Sequence, residues 1–288
     1  MLARARGLPR GVPWAVATPA LYYRSDLLRE AGADPPRSCQ ELVDVAAQLA
    51  DPPRRWGLGM PGPGQGGEEL LHALALAMPP GDEAAGAQAD LMQRLERALE
   101  LVVEMQARGA LQPETLSWGE LELVQAFAQG RLGMVIAGPW AAWLLRAADQ
   151  ARVDLPPTEE TAQSFEWAVA PLPVAEGGAG QVSVDWLVAF ADTDRAEAAE
   201  KLLRYMAELE SQRALAMLCG APALTGLWAE LAGSPPWSGH IPALRPGSGL
   251  PLGEWSDLRL RIASALYWAL SGRLAPGAAL ERATIGEP

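Results

Sequence analysis

Residues able to cut or transfer a bond are few in this chain. Its two histidines, His72 in ELLHALALA and His240 in PWSGHIP, belong to no metal-ligand spacing such as H-E-x-x-H. The carboxylate pairs Glu68-Glu69 and Glu120/Glu122 are of the type a glycosidase sets on either side of a scissile bond. Solvated helix faces account for them more simply. No G-x-S-x-G elbow occurs, and the glycine-rich PGPGQGG at 61–67 lacks the lysine of a phosphate loop, which makes it a connector. The sequence predicts no catalytic residue, no metal and no cofactor.

The aromatic residues point to binding. Eleven tryptophans stand against three phenylalanines. An indole covers the C–H face of a sugar ring, while carboxylates and amides take its hydroxyls. The stretch FAQGRLGMVIAGPWAAW at 127–143 runs from a helix into Gly130, then through a short apolar strand, to the corner Gly138-Pro139-Trp140. A helix start leaves free N–H groups beside the Trp140 indole, and ligands in α/β sheets gather at the carboxyl ends of strands.

Charge narrows the partners. With 23 basic and 35 acidic residues the net charge is −12. The chain shows no Lys/Arg cluster of the kind that binds nucleic acid or an anionic membrane. Cys39 and Cys219 are expected to be two separate buried thiols. The opening MLARARGLPRG carries positive charges with no apolar run behind them, so no signal peptide is read there, and no apolar stretch is long enough to span a bilayer.

Helices and strands must alternate to position these residues. The pattern predicts a strand over 15–23 and a short helix from Asp26 to Ala31. A Ser38/Glu41 capping box opens the next helix, 41–50, and a strand follows at 56–60. Helices are predicted near 68–78, 87–109 and 117–129, then the strand 133–137 and the helix 140–148. Strands at 167–171 and 182–190 precede helices at 193–208 and 211–219. Residues 233–254 read as a Pro/Gly-rich loop, followed by a helix over 255–271 and a short one after Pro276. Such alternation predicts a mostly parallel sheet with helices on both faces, and the length allows two lobes.

Four segments, in order, resemble the extracellular solute-binding proteins of ABC importers, in the carbohydrate-binding group that includes maltose-binding protein. They are GVPWAVATPALYYRSDLLREAGADPPRSCQELVDVAAQL at 11–49, AFAQGRLGMVIAGPW at 126–140, AVAPLPVAEGGAGQVSVDWLVAFADTDRAEAAEKLLRYMAELESQ at 168–212, and SGRLAPGAALERA from Ser271. The resemblance implies an α/β, type II periplasmic-binding-protein-like fold and a non-enzymatic role. It implies a nearly complete second lobe from 22–179 and 225–288. Residues 1–21 and 180–224 would be the remnant of a truncated first lobe with its hinge crossings, because relatives carry a signal peptide and most of that lobe ahead of the GVP segment.

By position in the family pattern, the ligand-binding residues implied are Trp140, Trp255, Trp186, Asp185, Trp14 and Thr18. Two departures stand out: Ala17 occupies a place where relatives put an acidic residue, and no Arg or Lys lies near Thr225. The implied ligand is a sugar, oligosaccharide or polyol, the implied partner an ABC permease, and the implied location the periplasm or the extracellular face. With one cleft wall missing, the chain itself is expected to bind weakly or not at all and to expose apolar surface suited to a homodimer. The alternatives are a dimerising scaffold and, further off, a carbohydrate-active enzyme.

Overall fold

A strand buried at every position needs cover on both faces, and Leu132–Ala137 (LGMVIA) is buried throughout. The structure, a computed structural model, describes residues 3–5, 8–81, 86–154, 165–190, 192–218, 220–244, 247–248 and 252–285. In chain order the elements begin with β1 (Ala3–Ala5), β2 (Leu8–Ala17), β3 (Ala20–Arg24), α1 (Ser25–Ala31), α2 (Cys39–Leu49) and β4 (Trp56–Gly59). Next come α3 (Gly67–Ala77), α4 (Ala87–Ala107), α5 (Glu120–Ala128), β5 (Leu132–Ala137), α6 (Trp140–Asp154) and β6 (Trp167–Pro171). The remainder is β7 (Gly180–Gln181), β8 (Ser183–Val188), α7 (Ala196–Ala207), α8 (Leu209–Leu218), β9 (Ala221–Pro222), α9 (Trp228–Leu231), α10 (Trp237–Leu244), β10 (Gly247–Ser248), α11 (Leu252–Leu270) and α12 (Pro276–Ile285).

The main sheet has the order β4-β5-β3-β6. Only β4 and β5, joined through the helices α3 to α5, are parallel; β3 runs antiparallel to both β5 and β6. A second, antiparallel sheet is built on β2, with β1 and β8 beside it and β9 pairing its end. The expected mostly parallel sheet is therefore corrected to a mixed one. Helical crossovers impose the parallel sense only where they link neighbouring strands, and β3 lies between strands that are not its neighbours in sequence.

Side-chain alternation divides the main sheet into two core layers. Leu21, Met134 and Ile136 face a layer with Leu42 of α2, Leu71 of α3, Leu99 of α4, Leu266 of α11 and Leu280 of α12. Tyr22, Val135 and Ala137 face the other, with Leu123 and Phe127 of α5 and Ala141 and Leu145 of α6. Each fully enclosed leucine contributes about 1.5–3 kcal/mol of transfer free energy. The predicted capping of α2 is half present: Ser38 Oγ accepts from the Glu41 N–H at 3.1 Å, but the Glu41 carboxylate accepts from the N–H of Arg37 at 2.8 Å.

The region read as a loop at 233–254 holds α10 and the short β10 instead. Trp237, Ile241 and Leu244 of α10 pack with Val16 and Ala221 of the second sheet, and burial outweighs the local Pro/Gly signal. Helix α10 also presses on β6, since a Cβ on Gly239 would stand 2.3 Å from Val169 Cγ1. Strand β2 begins seven residues ahead of the expected Ala15, its start disguised by Pro9 and Pro13. Cys39 is partly buried, and burial pushes its thiol up to about 11. Cys219 lies outside the described residues. Among the described residues no helix is long and apolar enough to cross a membrane.

Candidate functional site

Both strands that enter the site end in a break. β2 stops at Ala17 and β3 starts at Ala20, leaving Thr18-Pro19 as the crossing between the two sheets; β5 stops at Ala137, and Gly138-Pro139 turns the chain into α6. Between these breaks lies a cavity of about 300 Å³. Ala17, Thr18, Pro19, Ile136, Ala137, Gly138 and Trp140 form one side of its lining. Glu69 and Leu70 come from the first turn of α3, Glu120 from the start of α5, Gln181 and Ser183 from β7 and β8, and Trp255 from α11.

The Gly138 corner exists to seat the indole. A Cβ on Gly138 would come within 2.9 Å of Trp140 Cδ1 and 3.0 Å of its Nε1, so only glycine lets the ring fold back over the turn. The Gly138 carbonyl accepts from the buried Tyr22 hydroxyl at 3.1 Å. That hydroxyl also lies 2.9 Å from Nε2 of His240, whose Nδ1 is 2.8 Å from the Thr18 carbonyl. A carbonyl only accepts, so Nδ1 carries the ring hydrogen and Nε2 accepts from the Tyr22 hydroxyl, whose single hydrogen it shares with the Gly138 carbonyl. One fully buried histidine thus ties Thr18 to the Gly138 corner. Burial pulls His240 down to about 4 and pushes the Tyr22 phenol far up.

Trp255 is half-buried, with its ring centroid 4.9 Å from that of His72 at a tilt of 50°. His72 is itself enclosed, and burial lowers it to about 4 against the Gln181 side chain. Both histidines serve the interior: His72 lies against Trp255, and His240, through Tyr22, holds the corner that precedes Trp140.

Glutamates supply the polar wall, which corrects the expectation of solvated helix faces. Glu68 is only 2% exposed; its carboxylate accepts from the Gly64 N–H at 2.9 Å and from Arg259 Nε at 3.0 Å. Glu69 meets the same Arg259 Nε at 2.9 Å through Oε1, while its Oε2 is buried without a partner. Burial raises Glu69, with Glu68 adding to it; burial and then Glu69 raise Glu120. Glu122 alone behaves as a helix-end residue, accepting from the Gly119 N–H at 3.1 Å. The available signal was position: both pairs open helices directly after glycine-bearing turns, where chain ends converge on a sheet edge.

Of the six residues singled out, Thr18, Trp140 and Trp255 line the cavity together. Asp185 and Trp186 do not: they lie exposed on β8, paired with Ala15 and Pro13. Trp14 is half-buried within β2; its Nε1 is enclosed without a partner, and its carbonyl accepts from Gln212 Nε2 at 3.0 Å. Glu69, Glu120, Gln181 and Ser183 join the lining although not singled out. Among the described residues no cluster of three His, Cys, Asp or Glu could hold a metal.

An α/β fold with two four-stranded sheets and a cavity where they meet, floored by backbone corners and walled by indoles, is the form of a solute-binding protein. Residues 6–235 match the family of bacterial extracellular solute-binding proteins, and the chain belongs to that family. These are transport proteins of the extracellular side rather than enzymes. A Brucella abortus relative, provisionally described as a binding protein, is 27% identical over 207 residues, covering 69% of this chain and 47% of its own. The chain thus spans about half the length of that curated relative. Among solved structures, the GacH receptor of Streptomyces glaucescens, studied with acarbose, matches with a TM-score of 0.74 and 22% identity over 97% of this chain and 70% of its own. A solute-binding protein of an ABC transporter from Thermotoga lettingae, bound to α-D-tagatose, gives 0.76 and 20% over 97% and 72%.

Proposed function

We propose that this chain is the solute-capturing component of an ABC importer and takes a carbohydrate-like solute into the cavity at Trp140. The observation that carries the reading is the Trp140 indole folded over Gly138 at a cavity that Thr18 and Trp255 share. Indole faces suit the C–H patches of a sugar ring; Gln181, Ser183 and the two carboxylates suit its hydroxyls. The sugars named for the two structural relatives favour the same ligand class.

In this reading residues 22–179 and 225–288 act as one lobe around the β4-β5-β3-β6 sheet. Residues 1–21 and 180–224 belong to the other, around β2, with Thr18-Pro19 as one crossing of a hinge that closes on the solute. Calorimetry against a panel including acarbose, D-tagatose and maltose is the test. Binding of a panel sugar, weakened by Trp140→Ala, supports the reading; a panel that fails to bind even at millimolar concentration contradicts it.

A second reading, a dimerising scaffold, has its own observation: Val184, Trp186, Val188 and Phe190 form an exposed apolar row along and just past β8, with Phe190 78% exposed. Light scattering separates the two, because the scaffold requires a dimer at micromolar concentration and the capture role does not.

A further inference from the structure

Two carboxylates share one guanidinium beside the cavity wall, and a third carboxylate, Glu120, faces the same cavity. Arg259 of α11 divides its Nε between Glu68 and Glu69, at 3.0 and 2.9 Å. Glu68 is sealed inside and also engaged by the Gly64 N–H, so its charge is spoken for. Glu69 keeps Oε2 enclosed without a partner. Glu120 faces the same cavity, and no arginine or lysine is among the described residues lining it. Against the single cation, the wall carries a surplus of two negative charges in surroundings that partly exclude water. Glu69 and Glu120 are both destabilised there, by burial first and by a neighbouring carboxylate second.

We propose that the solute carries a protonated amine on its polyhydroxylated ring, as in an amino sugar or a short amino-sugar oligosaccharide, with the ammonium group set against Glu69 and Glu120. The inference rests on the sugar-cleft reading and narrows it. A sugar hydroxyl donates one hydrogen and leaves both carboxylates repelling each other. An ammonium group donates three and cancels one charge, which gives Glu120 a partner it lacks among the described residues and relieves its repulsion from Glu69. The indoles of Trp140 and Trp255 remain available for the ring faces, and Trp faces also attract cations. A chain of net charge −12 draws cationic solutes toward it from a distance.

The test compares sugars of one skeleton that differ in charge: D-glucosamine against D-glucose, and the glucosamine disaccharide against its N-acetylated form. Affinities are read on the unmodified chain by calorimetry and ligand-observed NMR, which follows binding into the millimolar range. The expected result is at least about tenfold tighter binding of the amine form. The preference should disappear in Glu120→Gln and fade as the pH is lowered through protonation of the two carboxylates. Neutral or N-acetylated sugars binding as tightly as the amines would overturn the proposal while leaving the sugar cleft standing. Absence of binding by every sugar, charged or neutral, would overturn both. The wild-type comparison needs no variant, so a folding defect in Glu120→Gln cannot mask the answer.

Discussion

The Tyr22 hydroxyl and Nε2 of His240 stand 2.9 Å apart across 218 residues of sequence, joining β3 to α10 beneath the cavity floor. Tyr22→Phe removes the hydrogen that lies between Nε2 and the Gly138 carbonyl; the carbonyl keeps the Ala141 N–H at 3.2 Å, while the buried Nε2 loses its donor. A buried acceptor left without a donor costs about 1–3 kcal/mol, the loss expected in urea unfolding. Binding should also weaken, because the Gly138 corner that seats Trp140 loses its anchor. Unchanged stability in the variant would show that the contact carries no weight.

Acid should destabilise the protein through its two histidines. His72 and His240 have folded values near 4, below the ordinary 6.5, so between these limits the unfolded chain binds protons that the folded chain refuses. Their contribution is intact above the ordinary histidine value and is lost as the pH falls toward 4, by roughly 3 kcal/mol each at the limit. The raised Glu69 and Glu120 act in the opposite sense, gaining protons on folding as the pH drops, and offset part of the loss. Urea unfolding at about pH 7 and about pH 4.5 measures the difference. His72→Phe should lessen it, and an equal drop in the variant would remove His72 from the account.

Elements with a strong local period were legible in the residues, and those held by distant contacts were not. Strand β6 falls at the expected residues, and α3, α4 and β5 fall within a few of theirs, because apolar spacing, glycine stops and burial agree there. Helix α10 was hidden because WSGHIPAL breaks helix preferences with Gly239 and Pro242 and is held by packing on β6 and the second sheet. At the site, the Gly138-Pro139-Trp140 corner could be read because its chemistry is local. The glutamates were misjudged because a first-turn carboxylate looks the same whether water or a cavity lies in front of it. Only the packing of α3, α5 and α11 draws Glu69, Glu120 and Arg259 toward one wall.

Close approach of α10 to β6 gives a sharp packing prediction. Gly239→Ala places a methyl group 2.3 Å from the stiff Val169 side chain. Overpacking of this kind costs about 1–3 kcal/mol, and the displaced helix would also carry His240 away from Tyr22 and Thr18. Thermal unfolding should show the lower stability, and titration of His240 by NMR should move back toward the ordinary histidine value. A variant as stable as the parent would mean that the helix and strand have room to part.

Fluorotryptophan labelling reads directly where a solute touches the protein, since the chain has eleven indoles to report. On adding a sugar that binds, the fluorine resonances assigned by Trp140→Phe and Trp255→Phe should shift together, while that of Trp186, exposed on β8, stays in place. Shifts confined to Trp186 or another indole remote from the cavity, with Trp140 and Trp255 unmoved, would contradict capture in the cavity.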